Sequence, residues 1–179
     1  MDELFAQESL NKYRRSYDKA LAEKMELLLV VLRQKSVNDL YMFNKNVLKV
    51  EKGDTSFVHL APFHKELCNF VTDRHDRKKL ILIPRAHLKS KLITIGYSIQ
   101  QVVKNPKVRI LIYSATWSMA SSLNMSIQKI LQGGEMLIDV FGDLSKGAPV
   151  WSQDQTRIAQ NDKREPTITA AGIDNNLVG

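Results

Sequence analysis

The pair Lys89-Ser90 stands where an apolar run gives way to a helical pattern, a place suited to phosphate chemistry. Leu80 to Ile83 reads as a strand, Pro84 to Leu88 as a short turn, and Leu92 to Ile99 carries apolar residues at near-helical spacing. In a strand–loop–helix site of this kind the lysine reaches the β- and γ-phosphates and the serine hydroxyl ligates Mg²⁺. Unpaired N–H groups and the dipole at the helix start add attraction for anions. Arg85 lies inside the turn, where a guanidinium can hold phosphate oxygens in pairs. The usual spacing G-x-x-x-x-G-K-[ST] has glycine at two positions that Ile83 and Leu88 fill here. The segment is thus a deviant phosphate loop or a basic turn with the same outline.

The elements around it must decide. Residues 18–35 predict a helix whose stripe Leu21, Met25, Leu28, Leu29, Leu32 would pack in a core or face a partner. Ser36 to Asp39 supplies capping chemistry for a second helix through Tyr41, Phe43, Val47 and Leu48. Glu51 to Thr55 is a polar break and the candidate boundary between a helical segment, 1–50, and a second domain, 51–179. A third helix runs from Pro62 to Val71, with proline near its first turn.

Strand and helix then alternate. Leu80–Ile83 leads to a helix over Ser90–Val103, broken at Asn105-Pro106. Val108–Tyr113 is a second strand and Trp117–Leu131 a second long helix, ending at Gly133-Gly134. Continuous apolar strands joined by helices of this length predict an α/β fold with a parallel sheet covered on both faces. Met136–Phe141 reads as a short helix, and Gln155–Ala159 and Thr167–Ala171 alternate as strands do. Ser114-Ala-Thr116, after the second strand, either contacts phosphate or caps the next helix.

Bulk properties narrow the partners. With 179 residues, 44% hydrophobic and 25% charged, the chain has the make-up of a globular protein with a real core. Its net charge of +7 favours a polyanionic partner such as nucleic acid. Seven Lys/Arg against two Asp lie between Asp73 and Lys91, around the loop. A single cysteine, Cys68, excludes an internal disulfide and suits a reducing compartment. The longest early apolar run, Leu27 to Leu32, is far below the ~20 residues of a membrane span. A cytoplasmic protein is expected. His59, His64 and Cys68 lack a fourth ligand at structural-zinc spacing, so no zinc site is expected.

These residues also carry a family likeness. The chain resembles the N-terminal ATPase part of the large terminase subunit of tailed bacteriophages, the motor that pumps DNA into capsids. The matching pieces are Ala61-Pro-Phe-His-Lys-Glu-Leu67, Ile83-Pro-Arg-Ala-His-Leu-Lys-Ser90 and Asn105-Pro-Lys-Val-Arg-Ile-Leu-Ile112 with Ser114 and Ala120. Phe141-Gly-Asp-Leu144, Trp151 and Glu165-Pro-Thr-Ile-Thr-Ala-Ala-Gly172 complete it, over most of residues 36–179. The most specific element is Pro-Arg-x-His-x-Lys-Ser, an Arg-bearing loop.

The resemblance implies an incomplete P-loop NTPase-like parallel sheet flanked by helices, binding ATP and Mg²⁺. Pro84, Arg85, Ala86, His87, Leu88, Lys89 and Ser90 would form the cofactor loop, with His64 near adenine. Lys89 would hold the β/γ-phosphates, Ser90 the Mg²⁺, and Arg85 would respond to the γ-phosphate. Arg157 and Arg164 are alternatives for an arginine acting in trans on a neighbouring subunit. Double-stranded DNA, further copies in a ring, the small terminase subunit and the portal are the implied partners, in the host cell cytoplasm. Two departures stand out. Leu88 replaces a usual glycine, at a cost of roughly 1–2 kcal/mol if the backbone there needs φ > 0. Lys91 replaces a usual threonine. The family's acidic strand, which holds Mg²⁺ and activates water, is expected beyond Gly179, as is the nuclease domain. The chain is therefore expected to be a fragment, or a piece completed by a partner, with weak hydrolysis or none alone. A non-enzymatic nucleic-acid-binding or assembly module with a degenerate nucleotide site is the rival reading. A helicase-like ATPase is the third.

Overall fold

In the computed structural model, residues 2–48 and 60–174 are described, with side chains from Tyr17 onward. The polar break at Glu51–Thr55 and His59 lie outside them. Helix α1 spans Asp2–Asn38, about 55 Å at 1.5 Å per residue. It is longer than the 18–35 helix the pattern predicts. From Tyr17 onward its C-terminal part joins the body, where Ser36 is buried and Leu32 leans on the core. Leu21, Met25 and Leu28 are exposed, so most of the predicted stripe does not enter the core. Helix α2, Leu40–Asn46, starts where Asp39 Oδ1 accepts the Met42 N–H at 3.0 Å. It buries Leu40 and Phe43, with Val47 and Leu48 following. Helix α3, Pro62–Thr72, turns Leu67 and Cys68 inward. Burial pushes the Cys68 thiol up to about 11, as befits a small core residue.

The first correction concerns Leu80–Ile83. It forms no regular element and pairs with no strand among the described residues. Ile81 and Ile83 lean on the core, while Leu80 and Leu82 are 79% and 83% exposed. An apolar run specifies a wish to be buried, and a ladder also needs a partner. Ser90–Tyr97 then winds as a π-helix and continues as helix α4, Ser98–Lys104, in place of one uniform α-helix. A cause is visible beside it. The buried Asn44 amide of α2 donates to the Leu92 carbonyl at 3.3 Å, and its Oδ1 presses against Gly96. A side chain inserted into the ladder is a usual origin of such irregular winding.

Strand β1 is Ile110–Ser114, β2 Val150–Trp151, β3 Gln155–Arg157 and β4 Ile168–Gly172, in the sheet order β1-β4-β3-β2. β1 and β4 are parallel, with Ile112 opposite Ala170. β4–β3 and β3–β2 are antiparallel, so the sheet is mixed where an all-parallel one was expected. The reason is local. Only Ser152 to Asp154 separate β2 from β3, and so short a connection can join only antiparallel strands. Helix α5, Trp117–Gly133, lies across β1 and β4. Its Asn124 and Gln128 hold the β2–β3 turn by donating to the Ser152 carbonyl at 3.2 and 2.8 Å. Helix α6, Glu135–Phe141, closes against α1, and the Arg33 guanidinium sits 5.6 Å from the Phe141 ring centre. On the face of β1 away from the core Leu111 and Tyr113 are 55% and 54% exposed, so the sheet is not covered on both faces as expected. The fold class is mixed α/β, an open four-stranded sheet with helices.

Candidate phosphate-binding site

The loop between Leu80–Ile83 and the π-helix makes its own concavity. A cleft of about 710 Å³ is lined by Ile83 to Lys91 and by Met119 of α5. All the predicted loop residues, Pro84 to Ser90, therefore come together around one space. Arg85, Lys89 and Ser90 are exposed to it, and none of the lining residues is acidic. Cations without a carboxylate among them attract an anion.

Two left-handed residues shape the loop. Ala86 has φ 66° and Leu88 φ 56°, so the position where glycine is usual does take positive φ. Each non-glycine residue there costs roughly 1–2 kcal/mol. The His87 ring Nδ1 lies 2.8 Å from the Arg85 carbonyl, and the Leu92 N–H donates to the Leu88 carbonyl at 2.9 Å. These bonds hold the turn between its strained residues. Because Ala86 is exposed, Ala86→Gly is expected to relieve strain without losing packing. After the entropic penalty of glycine the net gain is about 0.5–1 kcal/mol, read as a higher melting temperature. Leu88 leans on the core, and Leu88→Gly is expected to be close to neutral for stability.

His64 underlies the loop. It is 5% exposed, and its Nδ1 accepts the Ala61 N–H at 2.9 Å, capping the start of α3. Burial lowers its pKa, while the backbone of His87 and of Ala61 pulls the other way. An accepting Nδ1 places the proton of the neutral ring on Nε2. His64 therefore supports the loop from below.

Phe63 and Met119 escaped the sequence reading. The Phe63 ring is 3.9 Å from that of His64 and 5.9 Å from that of His87, centre to centre, making an aromatic ledge beside the loop. Pro62-Phe-His64 at a helix start was the available signal for it. Met119 had none, since its place depends on how α5 crosses the sheet. The Thr116 Oγ1 accepts the Met119 N–H at 3.3 Å, so the capping role of Ser114–Thr116 is the one observed. The two arginine alternatives differ. Arg157 Nη1 donates to the carbonyls of Lys163 and Arg164 at 3.2 and 3.0 Å, whereas Arg164 is exposed.

The residues fit a phosphate chain with Mg²⁺ in one respect more than the other. Lys89, Arg85 and the start of the helical stretch suit the phosphates, and the Ser90 hydroxyl would supply one hard oxygen to a metal. Among the described residues no group of three or more His, Cys, Asp or Glu could hold a metal ion, so other ligands would come from phosphate and water. Comparison of the chain with family models, curated proteins and solved structures returns no match. No helix among the described residues is long and apolar enough to cross a membrane.

Proposed function

We propose that this chain is the ATP-binding portion of a DNA-packaging motor of the large terminase kind, built on a P-loop NTPase-like fold. The observation that carries it is the cleft of Ile83 to Lys91, in which Arg85, Lys89 and Ser90 meet around a loop held by two left-handed residues. Lys89 and Arg85 bind and orient the phosphates of ATP, and Ser90 contributes an oxygen to Mg²⁺. When bound, Mg²⁺ would supply charge neutralisation to the phosphates. Phe63, partly exposed beside the loop, offers the ring face on which adenine would rest, with the buried His64 ring packed behind it. Without an acidic group among the lining residues, turnover requires a carboxylate from elsewhere, and the chain alone binds far better than it hydrolyses. Double-stranded DNA, further copies in a ring, the small terminase subunit and the portal are the proposed partners, in the host cell cytoplasm. Arg164, being exposed, is the better placed of the two arginines to act in trans.

The test is thermal. MgATP at a hundred times its Kd is expected to stabilise the chain by about 2.7 kcal/mol, roughly 5–10 °C in melting temperature. Lys89→Ala is expected to weaken binding at least about tenfold, removing about 1.4 kcal/mol of that gain at the same concentration. No shift in either protein would defeat the nucleotide reading. A degenerate site on a nucleic-acid-binding or assembly module is the second reading, favoured by the half-buried Leu88 at φ 56°. Leu88→Gly tightens nucleotide binding if Leu88 merely obstructs the loop, and no change would defeat that explanation.

A further inference from the structure

We propose that the His64 ring is a proton-operated latch on the phosphate loop. Neutral, it holds the turn around His87 that brings Arg85 and Lys89 together; protonated, it lets that turn go. This rests on the reading of the loop as a phosphate site and names how that site would be regulated. His64 is then a positioning residue, acting on the anion through His87.

The ring is wedged between a helix start and a turn. Its Nδ1 accepts the Ala61 N–H at 2.9 Å, and the backbone of His87 interacts with the same ring from the loop side. The Phe63 ring lies 3.9 Å away, centre to centre, and His64 is buried. His87 is the hub of the turn. Its own ring Nδ1 lies 2.8 Å from the Arg85 carbonyl. Its neighbours on both sides, Ala86 at φ 66° and Leu88 at φ 56°, are left-handed without being glycine. Such a backbone persists only where its surroundings hold it. His64 and Phe63 bring that hold from α3, one to the backbone of His87 and the other 5.9 Å from its ring.

Protonation reverses the first of these contacts. An imidazolium donates from both nitrogens, so Nδ1 would meet the Ala61 N–H donor to donor. The ring must turn or withdraw, and either movement takes it from His87. Its surroundings do not favour the charge. The charged residues of the elements packed about it are Asp39 and Lys45 at the two ends of α2, Lys65 and Glu66 of α3, Arg85 and Lys89 of the loop, and Lys91 of the π-helix. No carboxylate is among the groups that act on the ring; His87 is the titratable one that does, and its charge opposes protonation. Burial is the largest influence and lowers the His64 pKa from the ordinary 6.5, against the smaller pull of the His87 and Ala61 backbone. The latch is therefore closed at neutral pH and opens as the pH falls through that lowered value.

MgATP binding by the wild type and by His64→Gln, followed over pH, reads the latch. A glutamine can accept the Ala61 N–H and donate towards the loop, but has no proton to gain. Titration of ATP itself is common to both proteins and cancels in the ratio of affinities. Between about pH 7.5 and 5 the wild type is expected to lose at least about threefold more affinity than the variant, as the fraction of neutral His64 falls. Parallel profiles would overturn the proposal. So would melting temperatures that diverge in acid while affinities do not, since His64 would then be a cap for α3 and no more. Two measurements dispense with the ligand. Nitrogen NMR of the wild type should find the His64 ring neutral at about pH 7.5, with its proton on Nε2, and charged only below 6.5. A ring already charged at about pH 7.5 defeats the latch whatever the variant does. Amide exchange from Arg85 to Leu88 should quicken on acidification in the wild type relative to the variant. That result upholds the latch even where nucleotide fails to bind, and equal exchange sinks it even where nucleotide binds, so the two readings stand or fall separately.

Discussion

Gly172→Ala is expected to destabilise the fold by about 3 kcal/mol or more, the upper end for overpacking. Gly172 ends β4 opposite Ser114, where the sheet meets the start of α5. A β-carbon there would lie 2.1 Å from the Trp117 nitrogen and 2.5 Å from the Thr116 carbonyl carbon. Both are backbone atoms at the helix start, so no rotamer change clears the space. Thr116 also accepts the Met119 N–H, and the Trp117 N–H donates to Asp174 Oδ1 at 2.8 Å. Moving the helix start away therefore breaks capping bonds as well. For a chain of this length the loss corresponds to roughly 6–12 °C in melting temperature. A variant melting within about 2 °C of the wild type would mean that α5 does not approach the sheet so closely.

Gly96→Ala makes the opposite case. Its β-carbon would meet Asn44 Oδ1 at 2.0 Å, a side-chain atom that can be removed. Alone, the substitution is expected to cost about 1–3 kcal/mol. Asn44→Ala alone is also costly, because the Leu92 carbonyl loses its 3.3 Å bond from the amide and α2 loses the 3.0 Å bond to Leu40. Combined, the two small residues occupy space that neither wild-type partner could share. The double variant should be more stable than the sum of the single losses by roughly 1–2 kcal/mol. Strict additivity in denaturant titrations would show that Asn44 and Gly96 do not touch.

Several elements were legible because their signals are local. Pro62 at a first helical position, Asp39 and Thr116 as caps, and the stops at Gly133-Gly134 and Asn105-Pro106 mark ends that a short stretch of chain determines. The loop was legible for the same reason. Lys89, Ser90 and Arg85 lie within six residues and reach one cleft wherever the turn sits. What failed to show were matters of partnership. Leu80 to Ile83 has the composition of a central strand, yet β4 is the partner β1 found. Leu21, Met25 and Leu28 have the spacing of a core stripe, yet α1 extends beyond the body that would cover them. The π-winding was hidden because its apparent cause, Asn44, lies 48 residues before Leu92. Periodicity reports what a segment can offer, not what will be opposite it.

That last separation has a consequence for the loop. Lys89 and Ser90 begin the widened stretch, so their azimuth about the helix axis depends on how many residues each turn takes up before α4 resumes. The winding is bound to the seat of an amide from α2. The angular phase of the two phosphate-facing residues is thus inherited from the helical hairpin at the front of the chain. A substitution in that hairpin, far from any phosphate, can turn Lys89 out of line while leaving every residue of the loop in place.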